Sequence, residues 1–185
     1  SSRGILALAP EFQAPRTAFL APQAAGFSWY PNSFLSEIEL NEPWLSSALS
    51  RVGAAISAVG TVIPEQRVVL MGFSQGACLA LEFAARNARR YGGVVAFSGG
   101  LIGPDSTPRD YPGSLEGTPV FLGCSNVDPH IPVDRVHESA KVMNGLGSVV
   151  EKRIYPHMGH TVNQDEIGWA SEFLTSIDTE GSGAA

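Results

Sequence analysis

Apolar positions along the chain fall into short continuous runs that alternate with stripes at helical spacing. Thr17-Ala18-Phe19-Leu20-Ala21 is a short apolar run closed by Pro22 and is expected to be a strand. Leu45, Ala48, Leu49, Val52, Ile56 and Val59 then recur at the period of a helix. Pro43 lies near the start of that helix, where a missing N–H costs nothing. Arg67 to Met71 reads as the second strand. After a turn follows a helix with Ala77, Ala80 and Ala84 on one face, small enough to lie close against a sheet. Gly93–Phe97 and Pro119–Gly123 are further strands. A helix beginning at Pro132 carries Val133, Val136, Ala140 and Met143 on one face. Val149 to Tyr155 alternates only in part, as expected of a strand near a sheet edge. The last helix opens with Asn163 and has Glu166 three places on, an Asn variant of the capping box. Its buried stripe is Ile167, Ala170, Phe173, Leu174 and Ile177. The tail, Thr179 to Ala185, is expected to be frayed and flexible.

This alternation predicts an α/β fold, with a mostly parallel central sheet covered by helices on both faces. Residues 1–178 are expected to form a single domain, for which the length of 185 residues is well suited. Hydrophobic content of 44% and charged content of 16% describe an ordinary soluble globule. A formal charge of −6 argues against nucleic acid or an anionic membrane as the main partner. No apolar run approaches the roughly 18 residues of a membrane span, so stable membrane insertion is not expected. The start, Ser1-Ser2-Arg3-Gly4-Ile5-Leu6, lacks the layout of a signal peptide. The two cysteines, Cys78 and Cys124, are expected to be buried free thiols, which fits a cytoplasmic protein.

In a parallel sheet of this kind the chemistry gathers at the carboxyl ends of the strands. Three candidate residues follow strands there. Ser74 lies in Gly72-Phe73-Ser74-Gln75-Gly76, between a strand and a small-residue helix, the context that a G-x-S-x-G nucleophile elbow requires. The flanking glycines are expected because a side chain would collide with neighbouring backbone. Asp128 follows the strand at Pro119, in Gly123-Cys124-Ser125-Asn126-Val127-Asp128-Pro129. His160 follows the strand at Val149, in Tyr155-Pro156-His157-Met158-Gly159-His160. The chain order Ser, Asp, His is that of a triad built on such a sheet. A serine hydroxyl is a poor nucleophile at neutral pH, and His160 would take its proton during attack and return one to the leaving group. Asp128 would hold the other ring nitrogen and stabilise the imidazolium. Taken singly, Asp128 before Pro129 also reads as a turn opener, and His160 as a packed histidine.

The rival residues read as structural. His157 is expected to face solvent, His130 to lie near the cleft mouth, and Asp134 to favour the start of its helix. Asp105 and Asp110 fall in a Pro-rich loop and are expected to be solvated. No metal-ligand spacing links these residues, and no Gly-rich loop would cradle a phosphate, so neither metal nor cofactor is expected.

Together, Gly72-Phe73-Ser74-Gln75-Gly76, Gly123…Asp128-Pro129…Ile131-Pro132 and Gly159-His160 resemble the phospholipase/carboxylesterase family of α/β-hydrolases, which includes acyl-protein thioesterases and small bacterial carboxylesterases. Gln75 after the nucleophile is a more specific mark than the glycines, and Pro22…Trp29-Tyr30-Pro31 resembles the family's pocket-lining loop. The resemblance runs from about Ile5 to Leu174. It implies cofactor-free hydrolysis of a small-molecule or acyl-protein ester or thioester through an acyl-enzyme on Ser74, with Asp128 and His160 as partners. The backbone N–H of Gln75 would then donate into the oxyanion hole. Trp29, Tyr30, Phe34, Leu35, Leu101 and Ile131 are candidates for an apolar wall beside Ser74, with core packing as the alternative for each. The Pro-rich loop from Ile102 to Gly117 is expected to border the cleft, and the absence of a long lid points to short or medium acyl groups.

One departure stands out. Family members carry more chain before the segment matching Ile5-Leu6-Ala7-Leu8-Ala9-Pro10, including a strand ending in a His-Gly motif whose loop supplies the second oxyanion donor. Family topology would put that strand between Thr17–Ala21 and Arg67–Met71, and without it two rows of backbone groups would lack partners. The sequence is therefore expected to be a fragment. A serine esterase whose full form includes that segment is the favoured reading. The alternative is a degenerate member that binds acyl ligands or a partner with little turnover.

Overall fold

The structure, a computed structural model, describes residues 1–180. Its centre is a four-stranded, wholly parallel sheet in the order β1-β2-β3-β4, with β1 Val69–Phe73, β2 Gly93–Phe97, β3 Pro119–Ser125 and β4 Val149–Tyr155. The α-helices are α1 Ser2–Leu6, α2 Trp44–Gly60, α3 Gln75–Arg86, α4 Val133–Gly145 and α5 Gln164–Glu180. Parallel strands need crossovers, and α3 and α4 supply two of them, α3 between β1 and β2 and α4 between β3 and β4.

Successive strand residues point to opposite faces, and the two hydrophobic clusters divide along that alternation. Leu70, Val94, Ala96, Val120 and Leu122 join Leu45, Leu81, Val136 and Met143, so α2, α3 and α4 share one face. Val95, Phe97 and Phe121 join Phe12, Ile167, Ala170 and Leu174, so α5 and the amino-terminal segment cover the other. Coverage of both faces is why every residue of β2 is buried and why its sequence is apolar without alternation. Gly93 and Gly99 mark close approaches, since a methyl group would strike the Phe173 ring at the first and Ala77 at the second. β4 is an edge strand, as its partial alternation predicts. The Asn163 cap of α5 is made as expected: the Glu166 N–H donates to Asn163 Oδ1 and the Asn163 N–H to Glu166 Oε2, each at 2.9 Å.

One expected element differs from the structure. Thr17–Ala21 forms no strand. A strand needs a partner, and β1, the near edge of the sheet, is separated from this segment by a cleft of about 1190 Å³. Phe19, Leu20, Val69 and Met71 line this cleft together with Ser74 and His160. α5 runs through Glu180, and the rest of the tail expected from Thr179 lies outside the described residues.

Candidate active site

β1 delivers the chain into the elbow, and α3 leaves it immediately after Ser74. Ser74 has φ 55° and ψ −122°, a conformation that L-residues adopt only where the surroundings impose it. Here its N–H is held by the Phe97 carbonyl at 2.9 Å, and its own carbonyl accepts from the Cys78 N–H at 3.0 Å. A methyl group on Gly72 would collide with the backbone of Gly76 and Ala77, so glycine is required at that position. Gly76, by contrast, has no atom within 4 Å of where a Cβ would stand. The expected clash therefore applies to the first glycine of the motif and not to the second. Gln75 opens α3, where the first N–H groups have no intrahelical acceptor and the helix dipole favours negative charge.

Asp128 sits in the turn after β3, and His160 in the loop after β4. The structure brings both to Ser74. His160 Nε2 lies 2.8 Å from Ser74 Oγ, and His160 Nδ1 lies 2.7 Å from Asp128 Oδ2. The other carboxylate oxygen of Asp128 accepts the backbone N–H groups of His130 at 2.8 Å and Ile131 at 3.0 Å. Burial pushes the Asp128 carboxyl up, but the bonds from His160, His130 and Ile131 outweigh it and hold the group below the usual carboxylate range. The imidazole is packed between two rings, Phe73 and His130, each centred 4.8 Å from it. Such packing restricts the ring to the orientation that joins the two oxygens.

The two loops are tied by Asn126, which sequence reasoning missed. Its N–H donates to the Tyr155 carbonyl at 3.0 Å, and its Oδ1 accepts the His157 N–H at 2.9 Å. His157 itself is exposed, as expected. Side-chain bonds to distant backbone leave no mark in local sequence, so no pattern singled Asn126 out. The side-chain role of Gln75 was missed for the same reason: its amide reaches Trp29 and Tyr30.

The apolar-wall candidates separate clearly. Trp29 lines the cleft beside Ser74, as does Pro22. Tyr30, Phe34, Leu101 and Ile131 are buried in the core and are absent from the cleft lining, so packing accounts for them. Leu35 packs against the same core. The loop from Ile102 to Gly117 also stays off the cleft. It is bound instead to α3 and α4: the Ile102 N–H and Tyr111 hydroxyl donate to Glu82, and Arg135 reaches the Gly103 carbonyl and the exposed carboxylate of Asp105. His130 stands exposed at the rim of the site. Asp134 lies in the first turn of α4, and Asp110 is exposed.

Cys78 and Cys124 are free and buried, and burial pushes both thiols up to about 12, which leaves them unreactive at neutral pH. Among the described residues, no three His, Cys, Asp or Glu side chains gather as a metal site. None of the described helices is long and apolar enough to cross a membrane.

Comparison with known proteins points the same way. The family model described as Phospholipase/Carboxylesterase matches residues 14–177. The crystal structure of a phospholipase/carboxylesterase from Dyadobacter fermentans superposes with a TM-score of 0.90 at 40% identity, covering 94% of this chain and 84% of that one. The sheet and its helices thus form an α/β-hydrolase fold. Acyl-protein thioesterase 1 of Gibberella zeae is 33% identical over 118 residues, 61% of this chain and 48% of its own. That of Debaryomyces hansenii is 30% identical over 116 residues, 62% of this chain and 50% of its own. The chain spans about half the length of these curated relatives.

Proposed function

The chain belongs to the phospholipase/carboxylesterase family, and on that footing we propose that it is a serine hydrolase that cleaves carboxylic esters or thioesters through an acyl-enzyme on Ser74. The observation that carries this reading is the continuous hydrogen-bonded line from Ser74 Oγ through His160 to Asp128. A protein that only bound acyl ligands would need none of the three.

The proposed steps are those of acyl transfer through a serine. Ser74 Oγ attacks the carbonyl carbon as its proton passes to His160 Nε2, and the π-electron pair moves onto the carbonyl oxygen. Asp128, held ionised by its own hydrogen bonds, stabilises the imidazolium so formed. The Gln75 N–H at the start of α3 donates to the oxyanion, where a preorganised donor lowers the barrier by on the order of 3 kcal/mol. Collapse of the intermediate expels the alcohol or thiol, which takes the proton from His160. Water then repeats the sequence, releasing the acid and restoring Ser74.

Short to medium acyl groups are the proposed substrates, carried by a small molecule or by a protein. Trp29 offers an apolar surface beside the nucleophile. The test is treatment with a fluorophosphonate, followed by intact mass and peptide mapping, and then turnover of p-nitrophenyl esters from acetyl to octanoyl and of the matching thioesters. One adduct on Ser74 with turnover of the shorter esters is expected. A folded protein without adduct or turnover would overturn the reading in favour of a binding protein.

A further inference from the structure

The Gln75 side chain is directed at a feature that the chemistry of the nucleophile does not use. Its Oε1 accepts the Trp29 N–H at 2.8 Å, and its Nε2 donates to the Tyr30 carbonyl at 2.9 Å. Ser28 Oγ bridges the same group, donating to the Tyr30 carbonyl at 2.8 Å. A side-chain amide thus meets one donor and one acceptor of a neighbouring backbone, as a strand neighbour would. Residues 28–34 include no strand, so their part-buried backbone groups need partners of this kind. Further along, the same segment is held by Asn41 to Asn32 and Ser33, and by the Gly103 N–H to the Phe34 carbonyl. The Gln75 bonds are the ones at Trp29, the residue of this segment that faces the cleft together with Ser74.

We propose that the Gln75 side chain is a positioning residue that fixes Trp29 beside the nucleophile, so that acyl-group selectivity is set through a tether built into the elbow itself. This deepens, and rests on, the hydrolase reading. Only a neutral amide suits the position. A glutamate would turn a carboxylate oxygen toward the Tyr30 carbonyl, and a methionine of similar length would leave the Trp29 N–H without its partner and the Tyr30 carbonyl with Ser28 alone. Because Gln75 follows Ser74 directly, displacement of the loop and displacement of the elbow are mechanically linked. Trp29 is then held by the same residue whose N–H faces the oxyanion.

The test combines exchange with kinetics. In Gln75→Met, amide hydrogen exchange over residues 28–34 should rise about tenfold over wild type, with α2 unchanged, because two hydrogen bonds are lost. For a hexanoyl ester, KM should rise about tenfold, and the acetyl ester should change less. Trp29→Ala should raise the hexanoyl KM comparably, and the double variant should be no worse than either single one, because both remove one interaction. In Gln75→Glu, protection of the segment relative to wild type should return as pH falls from 8 toward 5, since a protonated carboxyl can donate to Tyr30. Unchanged exchange in both Gln75 variants, or effects of Gln75→Met and Trp29→Ala that multiply in the double variant, would overturn the proposal. The exchange readout needs no turnover. A wild type that neither labels nor turns over would therefore sink the hydrolase reading, while the exchange result would separately decide whether the tether exists.

Discussion

His160 Nε2 lies 2.8 Å from Ser74 Oγ although 86 positions separate the two residues in the chain. Two sheet positions produce this proximity. Ser74 leaves the end of β1 and His160 follows the end of β4, the two outermost strands of the described sheet. The contact is thus a property of the whole sheet rather than of either loop. Replacing Ser74 by Ala should abolish fluorophosphonate labelling and lower kcat by about 10⁴-fold or more. The Tm should stay within a few degrees of wild type, because the backbone bonds of Ser74, not its hydroxyl, hold the elbow. Turnover near the wild-type rate would remove Ser74 from the mechanism.

Asp128→Asn separates orientation from packing. The amide keeps the volume and an acceptor for the His130 and Ile131 N–H groups, but presents a donor or a neutral oxygen to His160 Nδ1. The wrong tautomer then faces Ser74. A fall in kcat of about 10⁴-fold with little change in thermal stability is expected. Full activity of the variant would mean that another carboxylate orients the ring.

Gly72→Ala tests the elbow by crowding. The added methyl would meet the backbone of Gly76 and Ala77, which cannot yield as a flexible side chain would. Destabilisation of about 1–3 kcal/mol is expected from such overpacking, together with loss of labelling. Gly76→Ala meets nothing and should be far milder in stability. The pair of variants, compared by chemical denaturation, checks that the two glycines of the motif do different work. Equal effects would contradict the geometry.

Much of this arrangement was legible in the sequence, for reasons that differ by element. β2 could be read because both faces are covered and its apolar run is continuous. α5 could be read because its cap and its stripe agree. Ser74, Asp128 and His160 could be named because each stands just past a strand. Thr17–Ala21 misled because a strand requires a partner as well as an apolar run, and partners are not written locally; without one, Leu20 stands exposed. For Tyr30 and Leu101 the sequence left cleft wall and core packing open, because closeness to strand ends does not say which way a side chain faces; both are buried. Asn126 and the Gln75 amide stayed hidden because their bonds join segments far apart in sequence.

Glu166 gives the last prediction, one of pH-dependent stability. It is fully buried at the start of α5, with Oε2 on the Asn163 N–H and Oε1 without a hydrogen-bond partner against Gly123. Burial pushes its carboxyl up from 4.5 to about 7; the Asn163 N–H opposes the change and neighbouring Asp165 adds to it. The native state therefore holds a proton between about pH 4.5 and 7 that the unfolded chain has released. Stability falls with rising pH wherever the native state binds more protons, so this group withdraws stability across that window and no more above it. Glu166→Gln keeps the acceptor for Asn163 and removes the titration. Denaturant unfolding of the two proteins from pH 4.5 to 8 should show the variant gaining on wild type by up to roughly 3 kcal/mol, with most of the change complete near pH 7. Parallel curves would mean that Glu166 is ionised throughout and that a partner for Oε1 offsets its burial.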